Sequence, residues 1–330
     1  MSERKVAQAD AEQDSFKLSE LLNEVKAALS RYNGRSGPEM TPCEIGREAE
    51  IIVCRACSLS LPQLIVGAGR SVCENGVNLA LEWARRRAEG EPWAYITGSR
   101  GFYGLEFKVG PGVLIPRPET ELLVDSALEE LQARLRTAAE EGRREALRAL
   151  DLCTGSGCVA LSLKKQVPSA ELWAQDISPD TFPYFAANCA GLGFVCLAEA
   201  AEGEVPSDAV VWRSGDLFEQ IAGRFDVITA NPPYVGLEGG DGLELQESVK
   251  AFEPSMALFG GPDGLEVIKR LIAQAGKYLR PGGRLLLEIG AGQGQSCREL
   301  MREAGFAQIE IKQDFAGLDR VCSGVFKQDL

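Results

Sequence analysis

The stretch from Leu150 to Leu163, LDLCTGSGCVALSL, joins an apolar strand to a helix through a turn that contains two glycines. Gly155 and Gly157 let the backbone of this turn approach a ligand closely, and the start of the helix supplies free N–H groups. A lone G-x-G also fits a plain tight turn, and Ala160 stands where a dinucleotide fingerprint has its third glycine, a position that tolerates alanine. The turn therefore points to a nucleotide-like ligand only in combination with its neighbours.

The next predicted strand, AELWAQD (170–176), ends in a carboxylate. Asp176 follows Gly155 by 21 residues, a spacing at which an acidic side chain binds both hydroxyls of a ribose. Turn and carboxylate together predict adenosine binding. Nicotinamide cofactors and S-adenosylmethionine both contain adenosine, so this pair does not distinguish between them.

From Leu147 onward, strand, turn and helix alternate, which is typical of an α/β fold with a parallel sheet covered by helices. Further strands are predicted at AVVWRSG, FDVITA, GRLLLEI, AQIEIKQ and RVCSGVF, and a helix from about Glu119 to Arg136. The charged stretch TAAEEGRREA (137–146) indicates a solvated extension or a linker. AEAAEGEVPSD (198–208) is interpreted as a surface insertion.

The preceding part of the chain has a different pattern. Apolar residues between positions 16 and 90 recur at helical spacing, which predicts a small helical domain. The segment GFYGLEFKVGPGVLIP (101–116) combines aromatic and β-branched residues with glycines, as expected for a hairpin that connects two domains.

Composition limits the chemistry. The chain contains no histidine, so the commonest metal ligand and the commonest general base are both missing, and no metal site is predicted. Its ten cysteines are scattered through apolar runs and are interpreted as reduced thiols, and the one C-x-x-C, Cys54 to Cys57, as helix packing. Neither a signal peptide nor a long apolar span is evident, which predicts a soluble cytoplasmic protein without membrane contact.

The net charge of −13 lies almost entirely after residue 100, where it amounts to −12. A field of this sign repels phosphate backbones and attracts basic partners, so direct nucleic-acid binding is not expected. An acidic surface that only serves solubility would have the same composition, and this alternative stays open.

The sequence NPPYV (231–235) directly follows the apolar strand FDVITA and resolves the choice of cofactor. Two prolines lock φ and remove two N–H groups, which leaves rigid carbonyls, and Asn231 adds a side chain that donates and accepts. An Asn oxygen and a proline carbonyl offer two acceptors to one NH2 group. This pair suits a substrate whose NH2 nitrogen is conjugated to a π system, such as an amide. Holding such a weak nucleophile against a sulfonium methyl needs positioning rather than a histidine, and Tyr234 would cover its flat face.

Several motifs in this sequence resemble the bacterial HemK/PrmC family of S-adenosylmethionine-dependent methyltransferases, which modify the glutamine of the Gly-Gly-Gln motif in peptide-chain release factors. They are PWAYITGSRGFYGLEFKVGPGVLIPRPETELLV (92–124), DLCTGSG, the QD pair at 175–176, GDLFE (215–219), NPPYV, FEPSMALFGGPDGL (252–265) and DFAGLDRV (314–321). The match runs from about residue 75 to the C-terminus. The segment PRPETE (116–121) is similar to the branch that acts on release factors.

The resemblance implies a Rossmann-like, seven-stranded class I methyltransferase sheet with a small N-terminal helical domain and a β-hairpin connector. The domains would be residues 1–98 for substrate recognition, 99–118 for the connector and 119–330 for methyl transfer from S-adenosylmethionine. The implied partner is a peptide-chain release factor, and we expect a monomer.

The resemblance also implies roles for individual residues. Asn231, Pro232 and Tyr234 would be catalytic, and together with Pro233 they would bind the substrate glutamine. Arg117 and Glu119 resemble residues at the mouth of the site, although an interdomain ion pair explains them equally well. The cofactor would contact Cys153, Thr154, Gly155, Ser156, Gly157, Asp176, Asp216, Leu217 and Asn231.

Two features depart from the family pattern. Cys153 stands where the family usually has glycine and could crowd the methionine end of the cofactor, and the segment 198–208 is longer than usual. Motifs of the NPPY type also occur in enzymes that methylate amino groups of nucleic-acid bases. Methylation of a ribosomal-protein glutamine or of adenine therefore remains the alternative to release-factor methylation.

Overall fold

The computed structural model describes residues 16–32, 40–142, 146–198, 205–237 and 246–327, which separate into two compact units. The smaller unit comprises the described residues up to Thr97 together with Gln246–Phe252. Its helices are α1 (Leu18–Tyr32), α2 (Pro42–Ala56), α3 (Leu61–Val66), α4 (Glu74–Ala88) and α5 (Trp93–Thr97).

Local sequence explains where the helices of the smaller unit begin and what they bury. Helix α2 starts at a capping box in which Thr41 and Glu44 satisfy each other's backbone N–H groups, with Pro42 in its first turn. One face each of α1, α2 and α4 packs into a common core that includes Leu21, Ile52 and Ala80. The Cys54–Cys57 pair lies at the end of α2, and the described residues contain no cluster of metal ligands.

The larger unit contains a hairpin, an eight-stranded sheet and the helices that cover it. Its first elements in the chain are β1 (Ser99–Phe102), β2 (Leu105–Lys108), α6 (Glu121–Glu140), β3 (Arg148–Leu152), α7 (Cys158–Gln166), β4 (Glu171–Asp176), α8 (Phe182–Leu192), β5 (Val195–Leu197), β6 (Ala209–Ser214) and β7 (Phe225–Ala230). Helix α9 (Glu247–Phe252) comes next in the chain and belongs to the smaller unit. The larger unit continues with α10 (Ser255–Leu258), α11 (Glu266–Ala275), β8 (Leu279–Glu288), α12 (Gly294–Glu303), β9 (Phe306–Gln313) and β10 (Asp319–Phe326).

The sheet has the strand order β5-β6-β4-β3-β7-β8-β10-β9. Strands β5 to β8 are parallel, whereas β10 is antiparallel to both β8 and β9. The order reverses between β3 and β7, and ligands of open α/β sheets bind beyond the carboxyl ends of the strands at such a point.

Helices cover both faces of the sheet. On one face α6, α7 and α8 bury Leu123, Leu161 and Phe185, and on the other α11 and α12 bury Leu271 and Met301. The predicted Rossmann-like class is confirmed, and all seven predicted strands are present. The short edge strand β5 is an eighth that the sequence pattern did not reveal, because Val195–Leu197 is only three residues long.

Two sequence expectations can be refined. Helix α6 begins at Glu121 after a short 3-10 turn (Pro118–Thr120), and it continues as an exposed extension to Glu140 before Gly142 adopts a positive φ of 68°. Most of the insertion expected at 198–208 lies outside the described residues. No helix of the described residues is long and apolar enough to cross a membrane.

Candidate active site

A cavity of about 390 Å³ lies at the carboxyl ends of the parallel strands. The residues directly after β3, β4, β6 and β7 line it, so the strand order itself brings the predicted motifs together. Predicted site residues in its lining are Cys153, Gly155, Asp176, Asp216, Leu217, Asn231 and Pro233. Thr154, Ser156, Gly157, Pro232 and Tyr234 are not among the lining residues.

The glycine turn is tied to the end of β4. The N–H of Gly155 donates to Oδ2 of Asp176 at 2.8 Å, and the N–H of Ser178 donates to Oδ1 at 2.9 Å. Burial raises the pKa of Asp176, and these backbone N–H groups oppose the rise. Gly155 has a φ of 54°, and no atom lies within 4 Å of the position of a Cβ, so its face of the turn is open.

A second buried carboxylate lies beneath the turn and was not predicted. Asp151 accepts hydrogen bonds from the hydroxyls of Thr154 at 2.6 Å and Thr229 at 2.8 Å, which joins the turn, β3 and β7. Burial raises the pKa of Asp151 to about 7, against the effect of the two hydroxyls. Thr154 therefore points into the protein. An aspartate within the apolar run LDL was the only sequence signal of this contact.

Two non-glycine residues that line the cavity have left-handed backbones. The φ angle is 55° at Cys153 and 50° at Leu217, a region in which a Cβ is unfavourable. Burial, followed by the charges of Asp176, Asp151 and Asp216, raises the pKa of the Cys153 thiol. This thiol is therefore a poor nucleophile, and the geometry at residue 153 is one that glycine adopts without strain.

This geometry predicts the order of stability of two variants at residue 153. Cys153→Gly and Cys153→Ala both remove the thiol, but only alanine keeps a Cβ at positive φ. We expect Cys153→Gly to be the more stable by about 1 kcal/mol. Denaturant titration measures the difference in free energy of unfolding. The reverse order, which holds in ordinary helices, would contradict the strain inferred here.

The cavity also carries an ion pair that the sequence did not indicate. Arg270 of α11 binds the carboxylate of Asp216, and both residues line the cavity. The two residues are 54 positions apart in the chain, so no local pattern connects them.

The NPPY segment is held by contacts on both of its ends. Nδ2 of Asn231 donates to Oγ1 of Thr120 at 3.2 Å, and the Tyr234 hydroxyl donates to Oε1 of Glu288 at 3.1 Å. The carbonyl of Tyr234 accepts from Nε2 of Gln293 at 2.9 Å. Burial and the neighbouring Glu288 raise the pKa of Tyr234. Pro232 is buried, and the Glu288 carboxylate that the Tyr234 hydroxyl contacts is buried as well.

The segment FEPSMALFGGPDGL packs directly behind NPPY. The N–H of Val235 donates to the carbonyl of Leu258 at 2.9 Å, and the N–H of Gly260 donates to the carbonyl of Val235 at 3.0 Å. A Cβ on Gly260 would collide with the Pro233 carbonyl, and one on Gly264 with the Tyr234 carbonyl. Two of the glycines in this motif are therefore explained by the close approach of two backbones.

Arg117 of the PRPETE segment forms an ion pair with Glu253, whose carboxylate also accepts the N–H of Ile115 at 3.0 Å. All three residues belong to the larger unit, so the expected interdomain ion pair is an ion pair within one unit. Glu119 is exposed.

Comparisons with known proteins show the family of the chain. Residues 44–98 match the PrmC N-terminal domain, so the resemblance begins some 30 residues before residue 75, where the sequence motifs alone placed its start. The release factor glutamine methyltransferase of Thermodesulfovibrio yellowstonii is 37% identical over 83% of this chain and 90% of its own length. The chain belongs to the release factor glutamine methyltransferase family. The family member of Neisseria gonorrhoeae is 38% identical over 86% of this chain and 94% of its own length.

Among solved structures, the catalytic domain of hMettl16 in complex with a MAT2A 3'UTR hairpin has a TM-score of 0.50 to this chain. It is 16% identical and covers 79% of this chain and 86% of its own, a likeness that concerns the fold alone.

The cavity fits the cofactor of this family. Gln175 is 1% exposed and lines the cavity, yet neither polar atom of its side-chain amide has a hydrogen-bond partner among the described residues. A buried amide of this kind is costly unless a ligand supplies a donor and an acceptor, as the adenosine of S-adenosylmethionine does. The sequence showed Gln175 only as half of the QD pair.

Proposed function

We propose that this chain transfers a methyl group from S-adenosylmethionine to the side-chain amide nitrogen of the glutamine in the Gly-Gly-Gln motif of peptide-chain release factors. One observation carries the proposal. The strand-end residues associated with adenosine, Gly155 and Asp176, line the same cavity as Asn231 and Pro233 of the NPPY segment. A donor and an acceptor of the methyl group would therefore meet within one enclosure.

The cofactor end of the cavity supports binding of adenosine. Asp176 would bind the ribose, Leu217 and Asp216 would lie at the adenine, and the turn Cys153 to Gly157 would wrap the remainder of the cofactor. The bound S-adenosylmethionine supplies a methyl group on a positively charged sulfur. Acidic residues around the cavity, with Asp176 among them, favour a cation there.

The substrate end supports binding of an amide. Asn231 turns its NH2 group toward Thr120, so its Oδ1 is available as an acceptor, and it accepts no hydrogen bond from any residue that the structure describes. This oxygen and the Pro232 carbonyl would accept the two hydrogens of the glutamine NH2 group and hold its lone pair toward the methyl. Attack by this nitrogen would form the C–N bond and break the S–CH3 bond, which releases S-adenosylhomocysteine, and the methylated nitrogen would then lose one proton to water. The chain contains no histidine to act as the usual general base, so the proposed catalysis depends on positioning.

We further propose that residues 1–98 serve substrate recognition, that 99–118 connect them to the methyl-transferring residues 119–330, and that the enzyme acts as a cytoplasmic monomer without direct nucleic-acid contact. The match of residues 44–98 to the PrmC N-terminal domain supports the first assignment.

The deciding experiment incubates the purified chain with S-adenosylmethionine carrying a labelled methyl group. A release factor, the same factor with the motif glutamine replaced by asparagine, a ribosomal protein and duplex DNA are offered separately. Label on the wild-type factor alone, located on its glutamine by mass spectrometry, is the expected result. Label on DNA or on the ribosomal protein in preference to the release factor would overturn the proposal.

Asp176 is expected to contribute strongly to cofactor affinity. Asp176→Ala should weaken S-adenosylmethionine binding by roughly 1.5 to 3 kcal/mol, because hydrogen bonds to a charged group are lost. The variant also releases the N–H groups of Gly155 and Ser178, which loosens the turn. Calorimetric titration measures the affinity, with the exposed Asp208→Ala as control. Equal affinities of the two variants would remove Asp176 from the site.

The charge of the chain predicts a salt effect on substrate encounter. If the −12 charge of residues 101–330 attracts a basic partner, the association rate with a release factor should fall several-fold as salt rises through the physiological range. Stopped-flow fluorescence measures the rate, and a neutral peptide that contains Gly-Gly-Gln is the control. A rate independent of salt would leave solubility as the reason for the acidic surface.

A further inference from the structure

Gln175, the residue before Asp176 on β4, has a side-chain amide to which the proposed methyl transfer gives no role. The residue is 1% exposed and lines the cavity. Neither Oε1 nor Nε2 has a hydrogen-bond partner in the part of the chain that the structure describes. Because an amide withdrawn from water without partners is costly, we expect this one to serve a ligand of the cavity.

The alternation of side chains along β4 gives the direction of this amide. Trp173, two residues earlier on the strand, packs in the same core cluster as Leu271 of α11. Side chains two residues apart in a strand lie on one face of the sheet, so Gln175 extends toward the face that α11 covers. Val267 and Arg270 of α11 line the cavity as well. The amide therefore reaches the cavity on the same face of the sheet as the start of α11.

The turn after β6 leaves space for the amide. A Cβ on Gly215 would lie 2.8 Å from Nε2 of Gln175, which is closer than a Cβ tolerates. Gly215 begins the GDLFE segment, and the Asp216 and Leu217 that follow it line the cavity. These two residues are the ones expected at the adenine of S-adenosylmethionine. The amide of Gln175 thus lies at the end of the cavity where the base is expected.

The edge of adenine complements a glutamine amide. The 6-amino group of the base donates, and the ring nitrogen beside it accepts, so a glutamine pairs with this edge through two hydrogen bonds at once. Apolar side chains suit the flat faces of such a ring, and Ile177 and Leu217 line the cavity beside Gln175. The amide has the donor and the acceptor that this edge requires, and both are unused.

We propose that Gln175 determines the base specificity of the cofactor site: its Oε1 accepts from the 6-amino group of adenine, and its Nε2 donates to the adjacent ring nitrogen. The inference deepens the proposed function and rests on it only in so far as S-adenosylmethionine occupies the cavity. It also gives Gly215 a physical role, because any side chain there displaces the amide.

A purely structural role of Gln175 makes a different prediction for the cofactor-free enzyme. If the amide stabilised the fold, its loss in Gln175→Met would lower the melting temperature. If it serves the ligand, the unbranched methionine fills the same space without two unsatisfied polar atoms. We then expect the melting temperature of the cofactor-free variant to equal or exceed that of the wild type, and a fall of more than about 5 °C would overturn the proposal.

Calorimetric titration of the full-length enzyme tests the contact with the base. The two ligands are S-adenosylmethionine and its analogue in which purine replaces adenine, so that only the 6-amino group is missing. A hypoxanthine analogue is unsuitable, since the amide can turn over and pair with it. We expect the wild type to bind the purine analogue about tenfold or more weakly. Gln175→Met should bind S-adenosylmethionine about tenfold or more weakly, and the ratio of its two affinities should be at least about fivefold smaller than in the wild type.

A second variant moves the amide without removing it. The φ of Gly215 is not positive, so alanine adopts its backbone without strain, while the new Cβ displaces Nε2 of Gln175. Gly215→Ala should therefore bind S-adenosylmethionine several-fold more weakly than Gly292→Ala, whose Cβ meets no atom within 4 Å.

An affinity of Gln175→Met for S-adenosylmethionine within about threefold of the wild type would overturn the proposal. So would a variant that distinguishes the two ligands as strongly as the wild type does, because the 6-amino group would then be bound elsewhere. The titration contains no methyl acceptor, so its result is independent of whether the enzyme acts on a release factor.

Discussion

Asn231→Ala is expected to abolish most of the methyl transfer while leaving the fold intact. The substitution removes the side-chain oxygen that would hold the glutamine nitrogen, and loss of such an orienting contact costs on the order of a hundredfold or more in turnover. The side chain lies at the end of β7 on the cavity wall and makes one described hydrogen bond, to Thr120, so little stability is lost. Single-turnover methylation of a release factor measures the rate.

Cofactor affinity and thermal stability serve as the controls for this variant. Asn231 also lines the cavity near the predicted cofactor contacts, so S-adenosylmethionine binding should weaken only modestly, and the melting temperature should stay near that of the wild type. A methylation rate within about threefold of the wild type would leave NPPY as a rigid turn without a role in orienting the nitrogen.

The parts of the site that could be predicted from the sequence are those encoded locally. Gly155 lies in the turn after a predicted strand, Asp176 ends the next one, and Asn231 directly follows a third. Parallel strands place their carboxyl ends at one edge of a sheet. Strand periodicity and glycine spacing therefore sufficed to bring them together. The edge strand β5 escaped prediction because three residues do not form a periodic pattern.

The residues that hold the site in place were not predictable in this way. Thr120 contacts Asn231 across 111 positions of the chain, and Glu288 contacts Tyr234 across 54. Such pairs become visible only when the sheet has been assembled. The positive φ angles of Cys153 and Leu217 were also unforeseen, because backbone propensity opposes them and the surrounding packing must impose them.

The NPPY segment depends on the glycines behind it as much as on its own prolines. Gly264 has a φ of 72°, and a Cβ there would overlap the Tyr234 carbonyl and lie 2.8 Å from Nε2 of Gln293. These two groups are joined by a hydrogen bond of 2.9 Å. A methyl group at Gly264 must therefore displace the NPPY backbone, break this hydrogen bond, or both.

Gly264→Ala is accordingly expected to reduce single-turnover methylation on the order of a hundredfold, the typical cost of displacing a reacting group by about 1 Å. The strained φ and the overlap should also lower the free energy of unfolding by about 2 kcal/mol. Gly292→Ala is the matched control, since no atom lies within 4 Å of its Cβ position, and it should change stability by less than about 0.5 kcal/mol. S-adenosylmethionine affinity should persist in both variants, because Gly155 and Asp176 are untouched. If Gly264→Ala methylates at a rate like that of Gly292→Ala, the NPPY backbone does not need the fixed position that its close packing imposes.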